Sequence, residues 1–571
     1  MKKDVEDISN SRLKLLNVFI VMAAIIIGVR LFKTQVIDSG KYKAKADLQH
    51  IIRQEVSAQR GSIFINEEYG EPYPVASNIF YYQISVVPRS IKDYRKVANN
   101  LAVIIGENEN DIYKKINNKK LYLPPLKKHM SKEMAEKISK LELIGVYIVP
   151  ELARFYGEGP MLGQTIGFVD AEGNGNYGIE AFYHEAMQGS TGIKVSSRDG
   201  SGNTIATIRT EVQEQDGADI ILNIEHNAQY KAEEILTKAV KDFEADKGSI
   251  LVMDVKTGGI IAMANTPSYD PNNFSAVAKD TPEMFRNPIV SEVWEPGSIM
   301  KPLIMGAALD QGLVTPETTG TYDSCVTVQN FPICTATKKA FGLETMTQVL
   351  ENSDNVAMVD VSNRLGNETM YRYMKSMGFG DKQRIDLQGE AMGSLLDFKK
   401  WRDLNRATIS FGQGMSSTPL QMLNAFASVA NKGVLLKPHV VKEIKKGNET
   451  TKIDTQEIRR VFKESTAIDL TQMLISVVEK GHGKKAGVKG YWVGGKTGTA
   501  QIPNPEGGYF SDRHIGSFAG FFPADNPRFA MLVKVDNPKN TQWAESSAAP
   551  TFGQMAQWLL TYYRIAPNRV Q

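Results

Sequence analysis

An apolar run near the N-terminus restricts the fold of this chain more than any other feature of its sequence. From Leu13 to Phe32 the run reaches about the twenty residues that a helix needs to cross a bilayer. Lys14 and Arg30 lie near its ends, where long cationic side chains extend to the membrane interface. The run predicts a signal anchor, and a buried core helix is the alternative. If the anchor forms, the rest of the 571-residue chain folds on one side of a membrane.

Charge gives little further information about orientation or partners. Basic residues flank the apolar run on both sides in similar number, so the positive-inside rule does not orient it. A sequence typical of signal-peptide cleavage, Ala44-Lys45-Ala46, lies beyond the run and after several charges, which favours an uncleaved anchor. Over the whole chain 67 basic and 64 acidic residues nearly cancel, whereas nucleic-acid binders usually carry a basic domain. We therefore expect a membrane protein without a nucleic-acid partner.

The sequence pattern changes near residue 245. Residues 35–245 mix short β-type runs with polar helical stretches. Beyond them, β-type runs from Gly248 to Val255 and from Ile260 to Ala264 flank turn residues, which predicts a hairpin. Helical patterns dominate residues 298–480, and strand-like runs return before a final apolar helix. Strands at both ends with helices between them predict an α+β domain.

We therefore expect three segments along the chain. Residues 1–34 would form a short tail and the transmembrane anchor, and residues 35–245 a mixed α/β domain. Residues 246–571 would form the α+β domain, in which an antiparallel sheet, closed by the two ends of the segment, is flanked by helices.

Three short motifs with reactive side chains fall inside the last segment. Ser298-Ile299-Met300-Lys301 is a Ser-x-x-Lys sequence, and residues three apart on a helix share a face, so Lys301 can reach the Ser298 hydroxyl. Ser353-Asp354-Asn355 is Ser-x-Asn, and Lys496-Thr497-Gly498-Thr499 lies in a strand-like run. Each is weak alone, because an ordinary helix, loop or bend gives the same residues, and residues 11–14 and 201–203 also match. Together, in this order, they are typical of penicillin-binding proteins and serine β-lactamases.

Over about residues 13–565 the chain resembles the class B penicillin-binding proteins, which are membrane-anchored transpeptidases of peptidoglycan synthesis. Besides the three motifs, the resemblance rests on Glu295 to Ser298, Ser410 to Gly414, Thr418 to Gln421, Arg60 to Ile63, Gly167 to Val169 and Gly178 to Glu180. Departures from the family pattern occur at Asn66, Gly157 and Glu225-His226. All lie in the N-terminal domain, so they concern subfamily and partners more than chemistry.

The resemblance implies an elongated pedestal over 35–245 and a penicillin-binding transpeptidase domain over 246–571, both outside the cytoplasm. Ser298 would attack the D-Ala–D-Ala peptide bond, and an amine of a neighbouring stem peptide would take over the acyl group. Lys301 is the candidate base, because no Ser-His-Asp arrangement is evident. The implied catalytic residues are Ser298, Lys301, Ser353, Asn355 and Lys496, and the implied substrate-binding residues are Thr497, Gly498 and Thr499.

The resemblance also implies partners. Stem peptides and β-lactams would bind the site, and the pedestal would recruit a membrane glycosyltransferase of the shape, elongation, division and sporulation family. A serine β-lactamase, a β-lactam sensor and a non-catalytic scaffold are the alternatives, although the anchor and the large pedestal argue against a β-lactamase. Division, elongation and sporulation all remain open as the process served.

The only two cysteines, Cys325 and Cys334, lie in one loop between the first two motifs. Two free thiols, a disulfide and a structural zinc site are all compatible with their spacing. Zinc would need about two more ligands, and the family's fold suggests Asp512 and His514, which open the strand after the Lys-Thr-Gly motif. Such a metal would be structural, since the serine mechanism requires no cofactor.

Overall fold

The structure is a computed structural model that describes residues 2–56, 58–118, 123–198, 204–567 and 569. The second Ser-x-Asn sequence, at 201–203, lies outside the described residues. The chain divides into two compact units, which are Met1–Gln59 with Gly189–Gly217 and Arg60–Gln188 with Ala218–Gln571.

The first unit contains the apolar helix predicted from the sequence. Its helical elements are Lys2–Phe32, the π-helical segment Lys33–Ile37, and Ser39–His50. Within them, Asn10–Ile37 is long and apolar enough to cross a membrane, and its apolar side chains are exposed. Three antiparallel strands complete the unit in the order Ile51–Val56, Gly192–Arg198 and Thr204–Val212. The predicted helix over the apolar run is confirmed.

Residues 60–188 of the second unit form a sheet with helices packed against it. The strands are Ile63–Asn66, Tyr73–Val86, Lys127–Met130 and Val146–Tyr156. Three helices pack against these strands through buried side chains such as Leu101 and Ile112. They are Tyr94–Ile105, Glu109–Ile116 and Lys132–Ser139. Asp93 starts the first helix by accepting a hydrogen bond from the backbone N–H of Lys96, as N-cap residues do. Shorter elements follow at Gly163–Ile166, Phe168–Val169, Gly175–Asn176, Gly178–Phe182 and His184–Met187.

A buried ion cluster joins two of the sequences that carry the family resemblance. The Glu180 carboxylate is fully buried and accepts hydrogen bonds from Arg60 Nε and Arg154 Nε, both at 2.7 Å. Removing one partner from such a cluster leaves an uncompensated buried charge. The two arginines and the glutamate therefore hold distant parts of residues 60–188 together.

The sheet formed by residues 60–188 also includes strands from later in the chain. Strand Asp219–Glu225 pairs in parallel with Ile63–Asn66 and antiparallel with Val441–Lys446, which is followed at the edge by Glu449–Lys452. This seven-stranded sheet thus contains residues from both sides of position 245. The predicted boundary near residue 245 marks a change of pattern along the sequence. As a limit between domains it stays a prediction.

A five-stranded antiparallel sheet forms the centre of the C-terminal part. Its strand order is Ile260–Thr266, Lys247–Asp254, Phe529–Asp536, Tyr509–Phe522 and Gly494–Pro503. The central strand Phe529–Asp536 is buried along its whole length, because both faces of the sheet are covered. Helices His226–Asp242 and Ala548–Tyr562 cover one face through a separate apolar core. The predicted hairpin, the returning strands and the α+β fold class are confirmed.

The other face carries the larger core and most of the helices. These are Phe274–Asp280, Pro288–Ser291, Lys301–Asp310, Met346–Glu351, Asn355–Leu365, Asn367–Ser376, Asp403–Ser410, Pro419–Ala430 and Glu464–Glu479. Small strand pairs lie among them, namely Thr319–Tyr322 with Gly342–Thr345, Cys325–Val328 with Phe331–Cys334, and Val434–Leu436 with Glu457–Arg460. The edge strand Gly494–Pro503 borders the helices on this side.

Candidate active site

The Ser-x-x-Lys motif lies where a short 3₁₀ helix, Gly297–Met300, continues into helix Lys301–Asp310. Gly297 has φ +61°, and a Cβ at Gly412 would lie 2.2 Å from the Gly297 carbonyl oxygen, so both backbones need glycine to approach this closely. The junction leaves Ser298 partly exposed and buries Lys301 completely. A reactive hydroxyl therefore lies at the surface of a cavity with an amine buried behind it.

Lys301 is held by the Ser-x-Asn motif. Its Nζ donates to the Ser353 carbonyl at 2.6 Å and to the Ser353 hydroxyl at 3.1 Å. Ser353 has a left-handed backbone with φ +56°, which costs a non-glycine residue about 1–3 kcal/mol. The next residue, Asp354, caps helix Asn355–Leu365 by accepting from the N–H groups of Val356 and Ala357. The cap and the lysine together hold Ser353 in this conformation.

Asn355 contacts the hairpin that carries the two cysteines. Its amide donates to the Cys334 carbonyl at 2.8 Å. Cys325 and Cys334 are opposite each other in the hairpin and form a disulfide. The disulfide contradicts the predicted zinc site, because both sulfurs are bonded to each other.

The other two zinc candidates are not assembled with the cysteines into a metal site. Asp512 is exposed on strand Tyr509–Phe522, and His514 Nε2 is hydrogen-bonded to the Thr541 carbonyl at 2.9 Å. Within the described ranges, no group of three or more His, Cys, Asp or Glu side chains could hold a metal ion. Of the alternatives that the sequence left open for the two cysteines, the structure contains the disulfide.

The Lys-Thr-Gly motif lies on the edge strand Gly494–Pro503. Lys496 is fully buried, and its Nζ donates to the Thr497 carbonyl at 3.3 Å. A Cβ at Gly498 would lie 2.9 Å from the Pro296 carbonyl oxygen, so the glycine lets the strand approach the turn before Ser298. The Thr499 hydroxyl accepts from the backbone N–H of Ala544 at 3.1 Å.

The two buried lysines have different electrostatic surroundings. Burial and the nearby charge of Lys496 hold the pKa of Lys301 well below its ordinary value, although the Asp354 carboxylate acts in the opposite direction. Burial lowers the pKa of Lys496 to about 7, and the Glu545 carboxylate opposes this change. The buried environment therefore favours the neutral amine of Lys301, while Lys496, with a pKa of about 7, keeps part of its positive charge at neutral pH.

A cavity of about 360 Å³ brings the three motifs together. Its volume is in the range of pockets that bind small ligands. The motif residues that line it are Ser298, Ser353, Asn355, Thr497 and Thr499. Lys301, Lys496 and Gly498 lie behind this lining and shape it.

Further lining residues were not predicted from the sequence. Phe411 and Gln413 belong to a stretch that carried the family resemblance, and this was a usable signal. His482, Trp543 and Glu545 also line the cavity, and His482 Nδ1 is hydrogen-bonded to Glu545 at 2.9 Å. No motif marks these three residues, and only the fold brings them to the site.

Comparison with known proteins gives matches along most of the chain. Residues 248–557 match the family model of the penicillin binding protein transpeptidase domain, and residues 55–222 match that of the penicillin-binding protein dimerisation domain. Stage V sporulation protein D of Bacillus subtilis is 33% identical over 87% of this chain and 78% of its own length. Peptidoglycan D,D-transpeptidase FtsI of Escherichia coli K12 is 29% identical over 94% of this chain and 89% of its own.

Solved structures show the same fold. Penicillin binding protein 3 of Mycobacterium tuberculosis, complexed with aztreonam, aligns with a TM-score of 0.71 and 25% identity, covering 90% of this chain and 98% of that one. A peptidoglycan synthetase of Bifidobacterium adolescentis aligns with a TM-score of 0.73 and 26% identity, covering 91% and 98% of the two chains.

Proposed function

Because this chain belongs to the class B penicillin-binding proteins, the peptidoglycan D,D-transpeptidases of the division and sporulation type, we propose that Ser298 is its nucleophile. The observation that carries the proposal is the convergence of three separate motifs on one cavity, with a fully buried lysine of lowered pKa behind the serine. A serine hydroxyl is a weak nucleophile until a neighbouring base takes its proton. Lys301 is such a base, three residues from Ser298.

Acylation would proceed by proton transfer and bond exchange. Ser298 Oγ attacks the carbonyl carbon of the D-Ala–D-Ala peptide bond, and its proton passes to Lys301 Nζ. The C–N bond then breaks as Ser353, which accepts from Lys301, relays a proton to the leaving amine of D-alanine. An ester on Ser298 and free D-alanine are the products.

Binding groups for the donor peptide surround this reaction. Lys496 and the Thr497 hydroxyl would meet the terminal carboxylate, and Asn355 would bind the substrate amide. The backbone N–H groups of Ser298 and Thr499 would stabilise the oxyanion, and one such donor is worth about 2.7–4 kcal/mol. Gly498 would keep the strand close enough to the nucleophile turn for this geometry.

An amine from a neighbouring stem peptide would then attack the ester, form the cross-link and return the proton to the serine. β-Lactams would acylate the same Ser298 and stay bound. The related penicillin binding protein 3 of Mycobacterium tuberculosis has been solved in complex with aztreonam and with ampicillin, which supports this expectation for the family member described here. No cofactor takes part in these steps.

The apolar helix within Asn10–Ile37 would anchor the chain by a single membrane pass. The pedestal over 35–245 and the transpeptidase domain over 246–571 would then lie outside the cytoplasm, where peptidoglycan is cross-linked. By family resemblance, the pedestal would bind a membrane glycosyltransferase that polymerises the glycan.

Intact-protein mass spectrometry of the full chain in detergent with a penicillin tests the proposal. We expect a stable adduct of one drug mass, which Ser298→Ala abolishes and Lys301→Ala nearly abolishes. Labelling of Ser298→Ala would refute the assignment of the nucleophile. A short-lived adduct with drug turnover would indicate a β-lactamase instead.

A further inference from the structure

A buried carboxyl group lies behind the Ser353 loop and has no part in the steps above. Glu344, on strand Gly342–Thr345, is only 2% exposed. Its Oε1 accepts a hydrogen bond from Asn352 Nδ2 at 2.7 Å. The fully buried Asp354 carboxyl group is a neighbour that raises the pKa of Glu344, both by its charge and as a hydrogen-bond partner. The glutamate thus contacts the residues on both sides of Ser353.

Contact between two carboxyl groups requires a proton between them. Asp354 Oδ1 already accepts two backbone N–H groups at the helix N-terminus, so Asp354 acts here as an acceptor. Without a shared proton, Glu344 Oε2 and Asp354 Oδ2 are both buried with no hydrogen-bond partner in the described part of the chain. The proton that joins them therefore belongs to Glu344. Burial, opposed by Asn352 and reinforced by Asp354, raises the pKa of Glu344 to about 7.

Ser353 depends on its two neighbours for its position. It has a left-handed backbone, and both its carbonyl and its hydroxyl accept from Lys301. Fixing Asn352 and Asp354 through one carboxyl group fixes the peptide units on either side of Ser353. A displacement of about 1 Å at such a site can cost about 100-fold in rate.

We propose that Glu344 is a positioning residue which, in its protonated form, clamps Asn352 and Asp354 and so holds Ser353 against Lys301. The inference rests on the proposed function of Ser353 and Lys301. Protonation also limits the buried charge near the base. Asp354 already acts to raise the pKa of Lys301, and a second carboxylate beside it would favour the charged and inactive ammonium.

Other titratable groups around Glu344 are few and lie on the elements packed against it. Glu351, at the end of helix Met346–Glu351, adds negative charge and is itself hydrogen-bonded by Ser476. Tyr322 lies on the strand paired with that of Glu344, and its pKa is raised above the physiological range by burial and Asp360. Burial and the charge of Lys496 hold the pKa of Lys301 well below its ordinary value. Glu344 is therefore the carboxyl group of this cluster whose pKa is raised to about 7.

Two substitutions separate positioning from packing. Glu344→Gln can still accept from Asn352 and donate to Asp354 through its amide, at every pH. In Glu344→Met, the methionine side chain has a similar length but cannot form the hydrogen bonds to Asn352 and Asp354. The matched controls are Glu233→Gln and Glu233→Met on helix His226–Asp242, because burial also raises the pKa of Glu233 outside the site.

The measurement is the second-order rate of acylation of the full chain in detergent by a fluorescent penicillin, from mildly acid to alkaline pH. We expect Glu344→Met to lose about 10- to 100-fold, and Glu344→Gln to match the wild type at acid pH. The ratio of Glu344→Gln to wild type should rise as pH passes about 7, where Glu344 ionises, while both Glu233 variants keep a constant ratio. Lys496 titrates equally in all of these proteins and cancels from the ratio.

A flat ratio for Glu344→Gln would overturn the proposal even if Glu344→Met fails to fold. So would a wild-type rate in a folded Glu344→Met protein. Labelling of Ser298→Ala in the same assay would instead refute the proposed nucleophile, so the two failures are distinguishable.

Discussion

Replacement of Lys301 by methionine tests the central step of the proposed mechanism. Lys301 is fully buried. In the described structure, its Nζ donates hydrogen bonds to the carbonyl and hydroxyl oxygens of Ser353 and to no other group. Methionine fills similar space without a base. General-base catalysis contributes about 10²–10⁴-fold, so we expect Lys301→Met to lower the rate of penicillin acylation by that factor. Stopped-flow fluorescence measures the rate, and Lys489→Met at an exposed position serves as control.

The pH dependence of the wild-type rate tests the cause of this effect. A lysine with an ordinary pKa near 10.4 is neutral in about one molecule in 10³–10⁴ at pH 7, and this fraction grows about tenfold with each pH unit. In this structure, burial and Lys496 hold the pKa of Lys301 well below that value, so the neutral fraction reaches its plateau at a lower pH than in an ordinary lysine. We expect the acylation rate to stop rising tenfold per unit well below pH 10. A rise that continues to the ordinary lysine pKa would refute a base activated by burial.

Three further changes test the site and the pedestal. In the Ser298→Ala protein, which cannot be acylated, the Kd for benzylpenicillin should rise as pH increases through about 7, because Lys496 loses its charge there. Adding Lys496→Ala should remove this pH dependence, and an equal dependence of Kd on pH in both proteins, measured by calorimetry, would contradict the prediction. Glu180→Ala should destabilise the protein by about 3–5 kcal/mol in urea unfolding, because two buried arginines lose their partner, and an unchanged midpoint would contradict this. Gly412→Ala should slow acylation and lower the melting temperature, since its Cβ would lie 2.2 Å from the Gly297 carbonyl that precedes the nucleophile and its φ of +82° disfavours alanine; a wild-type rate would contradict it.

Much of the fold could be predicted because its signals are local. The apolar run near the N-terminus, the hairpin after residue 247 and the central strand Phe529–Asp536 each have a hydrophobic pattern that one element explains. The seven-stranded sheet could not be predicted, since it pairs Asp219–Glu225 with Val441–Lys446 across more than two hundred residues. Pairing at such separation depends on packing of the whole domain, which no window of sequence contains.

The site was predictable to the extent that its chemistry is written in short motifs. Ser298, Ser353 and Thr497 line one cavity. The order of the three motifs, through the family resemblance, had implied such a shared site. Cys325 and Cys334 were ambiguous, because nine positions of spacing suit a hairpin disulfide as well as half of a metal site. Glu344 could not be recognised, since a single glutamate in a strand carries no pattern and its partner Asp354 is defined only by the folded loop.

The surroundings of the two lysines show why motifs alone cannot assign acid, base and binding roles. Lys301 and Lys496 are equally buried, so desolvation lowers the pKa of both. They differ in their neighbours, because Lys301 is next to another cation, whereas Lys496 has the Glu545 carboxylate nearby. Like groups whose pKa values are pushed apart take different roles, one as a neutral base and the other as a partial cation. Glu545 lies outside every motif, and yet its charge raises the pKa of Lys496 and so supports the role proposed for this lysine in binding a carboxylate.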